Sequence, residues 1–170
     1  MSRLDILVYP HSALRRRSSP VLEFNEEVRK LAHDMIETMY SGAGIGLAAP
    51  QVGINIRLVV VDVEQTEKGK QGKPHIIFNP EMISFDGEIE WVEGCLSLPG
   101  LNVKQMRKNN ITISYQDESG KKHKLKASGL FAVAIQHEMD HLDGRLLVDY
   151  ISEIQEEMYL KELKKICQRK

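Results

Sequence analysis

Residues 128–144 read SGLFAVAIQHEMDHLDG, and the fold turns on whether this run is a helix or a strand. Leu130, Phe131, Val133, Ala134 and Ile135 are apolar on most sides of a helical projection. The run is too long for an ordinary strand, and Gly144 is placed to end a helix. The reading is therefore a central helix over Ser128–Leu142, buried in the core. Within it His137, Glu138 and His141 spell H-E-x-x-H. Four residues apart on a helix, the two histidines share a face with Cβ atoms about 5–6 Å apart, within reach of a single ion. Glu138 then lies beside that ion as a base. Two satisfied core histidines and a solvated carboxylate are the plainer alternative. Burial argues against it, because an unpaired glutamate in so apolar a helix is costly to ionise unless a cation compensates it.

A catalytic ion of this kind takes three protein ligands and keeps one position for water. The longer pattern H-E-x-x-H-x-x-G-x-x-H fails, since residue 147 is Leu. Glu153, Glu156 and Glu157 are available downstream, but on a strongly charged segment where solvation is their usual role. Upstream, EGCLSLPG at 93–100 sets Cys95 in an apolar turn beside Gly94. Cys95 is the preferred third ligand, although on residues alone a cysteine there is more often a small buried apolar side chain.

Around this centre the chain reads as α+β, with antiparallel β-sheets about the H-E-x-x-H helix, an N-terminal amphipathic helix and a C-terminal helix. Val28, Leu31, Met35, Ile36 and Met39 recur at helical spacing over Asn25–Ser41, with Asn25 as cap and Glu26 and Glu27 in the positive first turn. SGAGIGLAAPQ at 41–51 is too glycine-rich for a helix and too apolar for a solvated loop, which suggests a pocket wall. Arg57–Val63 reads as a buried strand, and the segments Ile76–Phe78 and Met82–Glu90 read as extended. NITISYQ at 110–116 alternates, turns through DESG and returns as KKHKLKA, a half-exposed hairpin. Ser152 and Gln155 form a capping box opening a charged helix, about 152–168, with Ile154, Met158, Leu163 and Ile166 as its apolar stripe. No repeat or long linker divides residues 1–170, which read as one domain.

Composition bounds the function. The 170 residues carry 23 Lys and Arg against 24 Asp and Glu, a formal net charge of −1. No general basic field attracts nucleic acid or anionic lipid, so direct sequence-specific nucleic-acid binding is not expected. The N-terminal MSRLDILVYP lacks the hydrophobic core of a secretory signal, no stretch could span a bilayer, and a cytoplasmic protein is expected. The only cysteines are Cys95 and Cys167. In a reducing compartment a disulfide between them is not expected.

Three segments in order, GIGLAAPQ at 44–51, EGCLS at 93–97 and QHEMDH at 136–141, resemble the signature motifs of the peptide deformylases. The resemblance implies removal of the N-formyl group from the formylmethionine of newly made polypeptides, with release of formate. It implies Cys95, His137 and His141 as metal ligands with water in the fourth position, and Glu138 as general acid and base. Gln51 and the Leu96 N–H would stabilise the developing oxyanion. Gly44, Ile45 and Gly46 would approach the peptide backbone, and Ile45, Leu96, Leu130, Val133 and Ala134 are candidates for a methionine pocket. The implied ion is Fe²⁺, replaceable by Zn²⁺, Ni²⁺ or Co²⁺. The implied partners are N-formylmethionyl nascent peptides and, through the C-terminal helix, the ribosome. Where the family commonly has arginine followed by proline, this chain has Arg107 followed by Lys108, so no peptide contact is assigned to Arg107. Asp140 reads either as an orienting partner for a histidine or as an exposed helix acid.

Overall fold

The structure, a computed structural model, describes residues 2–66 and 72–169. Its strands, numbered in chain order, are β1 (Gly46–Ala48), β2 (Leu58–Val61), β3 (His75–Cys95), β4 (Leu98–Gln116) and β5 (Lys122–Ser128). All neighbouring strands pair antiparallel, in the order β1-β2-β3-β4-β5, so the described strands form one sheet where several were expected. The helices are α1 (Glu26–Ser41), α2 (Leu130–Leu142) and α3 (Glu153–Gln168).

The helices start where local chemistry directs. The Asn25 side chain accepts from the Val28 N–H at 3.0 Å, satisfying a donor that the first turn leaves free. Ser152 and Gln155 form their reciprocal box at the start of α3. Ser128 belongs to β5, and α2 begins only after Gly129, whose φ of +62° turns the chain from strand into helix. Gly144, at φ +74°, follows its C-terminal end, where an added Cβ would sit 2.4 Å from the Arg15 carbonyl oxygen.

The strands depart further from expectation. The separate segments read around Ile76–Phe78 and Met82–Glu90 are parts of one 21-residue strand, and NITISYQ is the end of a 19-residue strand. Register shifts lie at Phe78/Glu81, Met82/Ser84 and Glu93/Cys95. Each shift breaks the two-residue alternation by which a strand is recognised, and each lets the long ribbon twist. The ribbon ends at Cys95, so the expected apolar turn is the last residue of β3 followed by Leu96 and Ser97. Likewise, part of the expected pocket-wall loop is edge strand β1, leading into a 3-10 turn at Ala49–Val52.

Helix α2 lays Ala132, Ala134, Ile135 and Leu142 into one core cluster with Val59, Val61, Ile77, Ile111 and Ile113. Helix α1 lays Ala32, Met35 and Met39 against Leu47, Leu58, Val60 and Phe78 on the other side of β1 and β2. Helix α3 keeps only the C-terminal half of the stripe read in the sequence, Leu163 being buried and Ile166 half-buried. Ile154 and Met158 are 71% and 63% exposed, while Tyr159 and Leu163, four residues apart, are buried against Leu98 and Val103. The Tyr159 hydroxyl bonds the Pro99 carbonyl at 3.1 Å, so an amphipathic tyrosine supplies the anchor that aliphatic periodicity would overlook.

Candidate metal centre

The sharp end of the β3–β4 hairpin meets the inward face of α2. There the Cys95 Sγ, one His137 nitrogen and one His141 nitrogen lie within 4.8 Å of one another. Cys95 Sγ is 3.3 Å from His141 Nε2, and the two imidazole rings stand 5.0 Å apart at 75°. No glutamate of α3 joins this group among the described residues, and Glu156 is instead taken up by the Tyr9 hydroxyl. One thiol and two imidazoles within this span suit a tetrahedral ion.

Glu138 lies on the same turn of α2, only 4% exposed, and its Oε2 has no hydrogen-bond partner among the described residues. Burial pushes its carboxyl up to about 7, against a smaller opposing pull from His137. Strand β1 passes so close that a Cβ on Gly46 would lie 2.5 Å from Glu138 Oε1. Any side chain there would have to displace Glu138. Gly44 is similarly pressed by Leu96, whose Cδ1 would be 2.7 Å from an added Cβ.

Gln51 is buried, and both ends of its amide are held. Its Oε1 accepts from the Ala48 N–H at 2.9 Å. Its Nε2 donates to Ser97 Oγ at 3.0 Å and lies 3.6 Å from Cys95 Sγ. The amide is thereby fixed beside the thiol with its donor side inward.

These residues wall a cavity of about 330 Å³, which takes in Gly44, Ile45, Gly46, Gln51, Cys95, Leu96, His137 and Glu138. Leu130, Val133 and Ala134 line it too, so all five residues considered for an apolar pocket face one space. Trp91 and Val92 complete a wall that sequence reading did not assign. His141 is 1% exposed and sits behind the cavity.

Behind His137 lies a polar chain of which sequence reading named only Asp140 as a partner for a histidine, and that as one of two options. His137 Nδ1 is 3.0 Å from Glu93 Oε1. A carboxylate there draws the Nδ1–H and leaves the Nε2 lone pair free for an ion. Arg107 closes on Glu93 with two bonds of 2.8 Å, and its third nitrogen donates to Asp140 Oδ2 at 2.7 Å. The Tyr150 hydroxyl also donates to Asp140, at 2.9 Å, and its ring lies against the guanidinium, whose carbon is 5.5 Å from the centroid. Asp140 is thus linked to His137 through Arg107 and Glu93, and Arg107 is not among the residues that line the cavity. Burial would raise the Glu93 carboxyl, but the Arg107 and His137 bonds outweigh it and hold the group below its ordinary range. Burial also depresses His141, aided by the charges of His137 and Arg107. At His137 the Cys95 and Glu93 side chains overcome burial and raise the ring. A cation bound to the three donors would reverse that last preference, since ligation needs a free imidazole nitrogen.

A helix presenting H-E-x-x-H, a thiol from a hairpin end and a buried carboxyl beside a cavity of about 330 Å³ suit the class of mononuclear metallohydrolases. The polypeptide deformylase family model matches residues 3–157. A peptide deformylase of Alkalilimnicola ehrlichii is 44% identical over 169 residues, covering 99% of this chain and 93% of that protein. The crystal structure of a peptide deformylase from Legionella pneumophila superposes with a TM-score of 0.90 at 38% identity, covering 99% of each chain. The Ehrlichia chaffeensis enzyme, crystallised with actinonin, gives 0.90 at 36% identity, covering 97% of this chain and 98% of that one. The chain belongs to the polypeptide deformylase family.

Proposed function

We propose that this chain removes the N-formyl group from the formylmethionine of nascent polypeptides, using Cys95, His137 and His141 to hold one Fe²⁺ ion. The observation that carries this reading is the convergence of those three donors within 4.8 Å, beside a buried glutamate on a cavity wall. The ion, when bound, supplies a Lewis acid that polarises a carbonyl and lowers the pKa of a water.

The protein's own groups do the rest. Glu138, with its carboxyl pushed up to about 7, is poised to take a proton from the attacking water and return it to the departing amine. Gln51 Nε2 and the Leu96 N–H serve as donors for the carbonyl oxygen as it gains charge, each worth about a hundredfold or more in rate. The amide of Gln51 needs no reorganisation, because Ala48 and Ser97 already hold it. Glu93 and Arg107 keep the His137 ring in one orientation.

Strand β1 stands at the edge of the sheet, and an extended peptide could add alongside Gly44, Ile45 and Gly46 by main-chain bonding. Recognition would then depend on the formylmethionine in the cavity and little on later side chains. Residues 1–170 act as one catalytic domain in this reading, with α3 as its outer helix. The exposed Ile154 and Met158 of α3 offer a surface for ribosome contact. No helix among the described residues is long and apolar enough to cross a membrane, and the proposed location is the cytoplasm.

Formate release from a formyl-Met peptide, with an acetylated peptide as control, tests the activity. An endopeptidase would cut internal bonds and release no formate. A metal-stapled binding module would do neither. Cys95→Ser tests the ligand set: metal content should fall sharply, and a variant that keeps its full complement of metal removes Cys95 from the site.

A further inference from the structure

The peptide plane between Gly44 and Ile45 is held by a single side chain from elsewhere in the fold. On its N-terminal side the loop is tied to the end of α1, where the Ala43 and Gly44 N–H groups donate to the Tyr40 and Met39 carbonyls at 3.0 Å each. On its C-terminal side it is tied to the sheet, where the Asp62 N–H donates to the Ile45 carbonyl at 2.9 Å and Gly46 pairs with Val61. Between them the Gly44 carbonyl accepts 2.5 Å from Gln65 Nε2. Gln65 stands in the 3-10 turn Glu64–Thr66, just past β2.

Gln65 is itself held in place. Its Nε2 also lies 3.3 Å from the Asp62 carbonyl, and its backbone N–H reaches Asp62 Oδ1 at 3.4 Å. The fully buried Asp62 carboxylate further accepts from the Glu64 N–H at 3.0 Å and from the Tyr40 hydroxyl at 2.5 Å. Tyr40 belongs to the last turn of α1, so the clamp joins both ends of the cavity loop.

A trans peptide directs its N–H opposite to its C=O. Fixing the Gly44 carbonyl toward Gln65 therefore fixes the Ile45 N–H on the other side, and this N–H makes no hydrogen bond among the described residues. Without the clamp the plane could rotate at low cost, because Gly44 has no Cβ to restrict it. We infer that Gln65 is a positioning residue for the peptide substrate: by holding the Gly44 carbonyl it keeps the Ile45 N–H presented to a main-chain carbonyl of an extended formyl peptide. This rests on the reading of Gly44–Gly46 as the substrate edge.

Two variants of similar length remove the donor, Gln65→Met without charge and Gln65→Glu with one. Steady-state kinetics on a formyl-Met tripeptide should show KM raised about tenfold in each, the scale of one lost hydrogen bond, with kcat within about twofold. Metal content and the unfolding midpoint should match wild type, which separates positioning from support of the fold. An active wild type whose KM is indifferent to both changes overturns this inference alone. So does a KM rise matched by lost stability or lost metal. A wild type that releases no formate overturns the proposed activity and this inference with it.

Discussion

Replacing Arg107 by Met puts the buried network behind His137 to a direct test. The guanidinium is 7% exposed and makes three bonds of 2.7–2.8 Å, two to Glu93 and one to Asp140. Methionine fills much of the same space without charge. Among the described residues it leaves Glu93, at 4% exposure, with His137 as its one remaining side-chain partner, and leaves Asp140 with Tyr150. Removing one member of a buried ion pair costs about 3–5 kcal/mol, chiefly because the other charge is stranded. For a chain of this size each kcal/mol moves the midpoint by about 2–4 °C, so metal-free Arg107→Met should unfold about 6–20 °C below wild type. Metal affinity, measured by chelator competition, should weaken about 10–100-fold as the His137 ring loses its anchored partner. Adding Glu93→Gln to Arg107→Met should recover at least half of the lost midpoint, since an amide still accepts from His137 and carries no charge. A single variant melting within about 2 °C of wild type with unchanged metal affinity refutes the network's role. If KM alone rises, Arg107 touches the peptide after all.

Other perturbations read other parts of the site. Glu138→Gln should retain metal and lose about 10²- to 10⁴-fold in kcat for formate release, and a loss under tenfold would remove Glu138 as the proton carrier. In metal-free protein the folded Glu138 titrates at about 7 against an ordinary value of 4.5, so its neutral form favours folding below that ordinary value and this contribution is lost as pH rises through about 7. The midpoint of metal-free Glu138→Gln should accordingly pull ahead of wild type between about pH 5 and pH 8, whereas a constant gap would contradict the raised carboxyl. Gly46→Ala forces a Cβ to 2.5 Å from Glu138 Oε1, and formate release should fall about a hundredfold with metal retained. Aerobic purification should cost activity as iron and Cys95 oxidise, with Ni²⁺ or Co²⁺ restoring it; an air-stable zinc form with full turnover would count against Fe²⁺ as the working ion.

What the sequence disclosed was mostly local. Asn25 and the Ser152–Gln155 pair mark helix starts because a cap acts within four residues, and His137 and His141 share a face by helical geometry alone. Cys95 became a compelling third donor through family resemblance, since no spacing rule links a thiol in an apolar turn to a helix so far along the chain. The long ribbon escaped notice because its three register shifts erase the alternation that identifies a strand. The Glu93–Arg107–Asp140–Tyr150 chain draws on β3, β4, α2 and the turn after it, and no pattern within any one of these announces it. Tyr159 was missed for a chemical reason: its ring packs as an apolar group while its hydroxyl needs the Pro99 carbonyl.

The thiol and the second imidazole are 46 residues apart in sequence, one at a hairpin tip and the other on a helix. An ion joining them acts as a removable crosslink, and closing a loop of that length is worth about 4 kcal/mol of chain entropy when the link is permanent. Loss of that ion would then loosen the link between hairpin and helix, so a metal-stripped molecule should open to protease more readily than a loaded one.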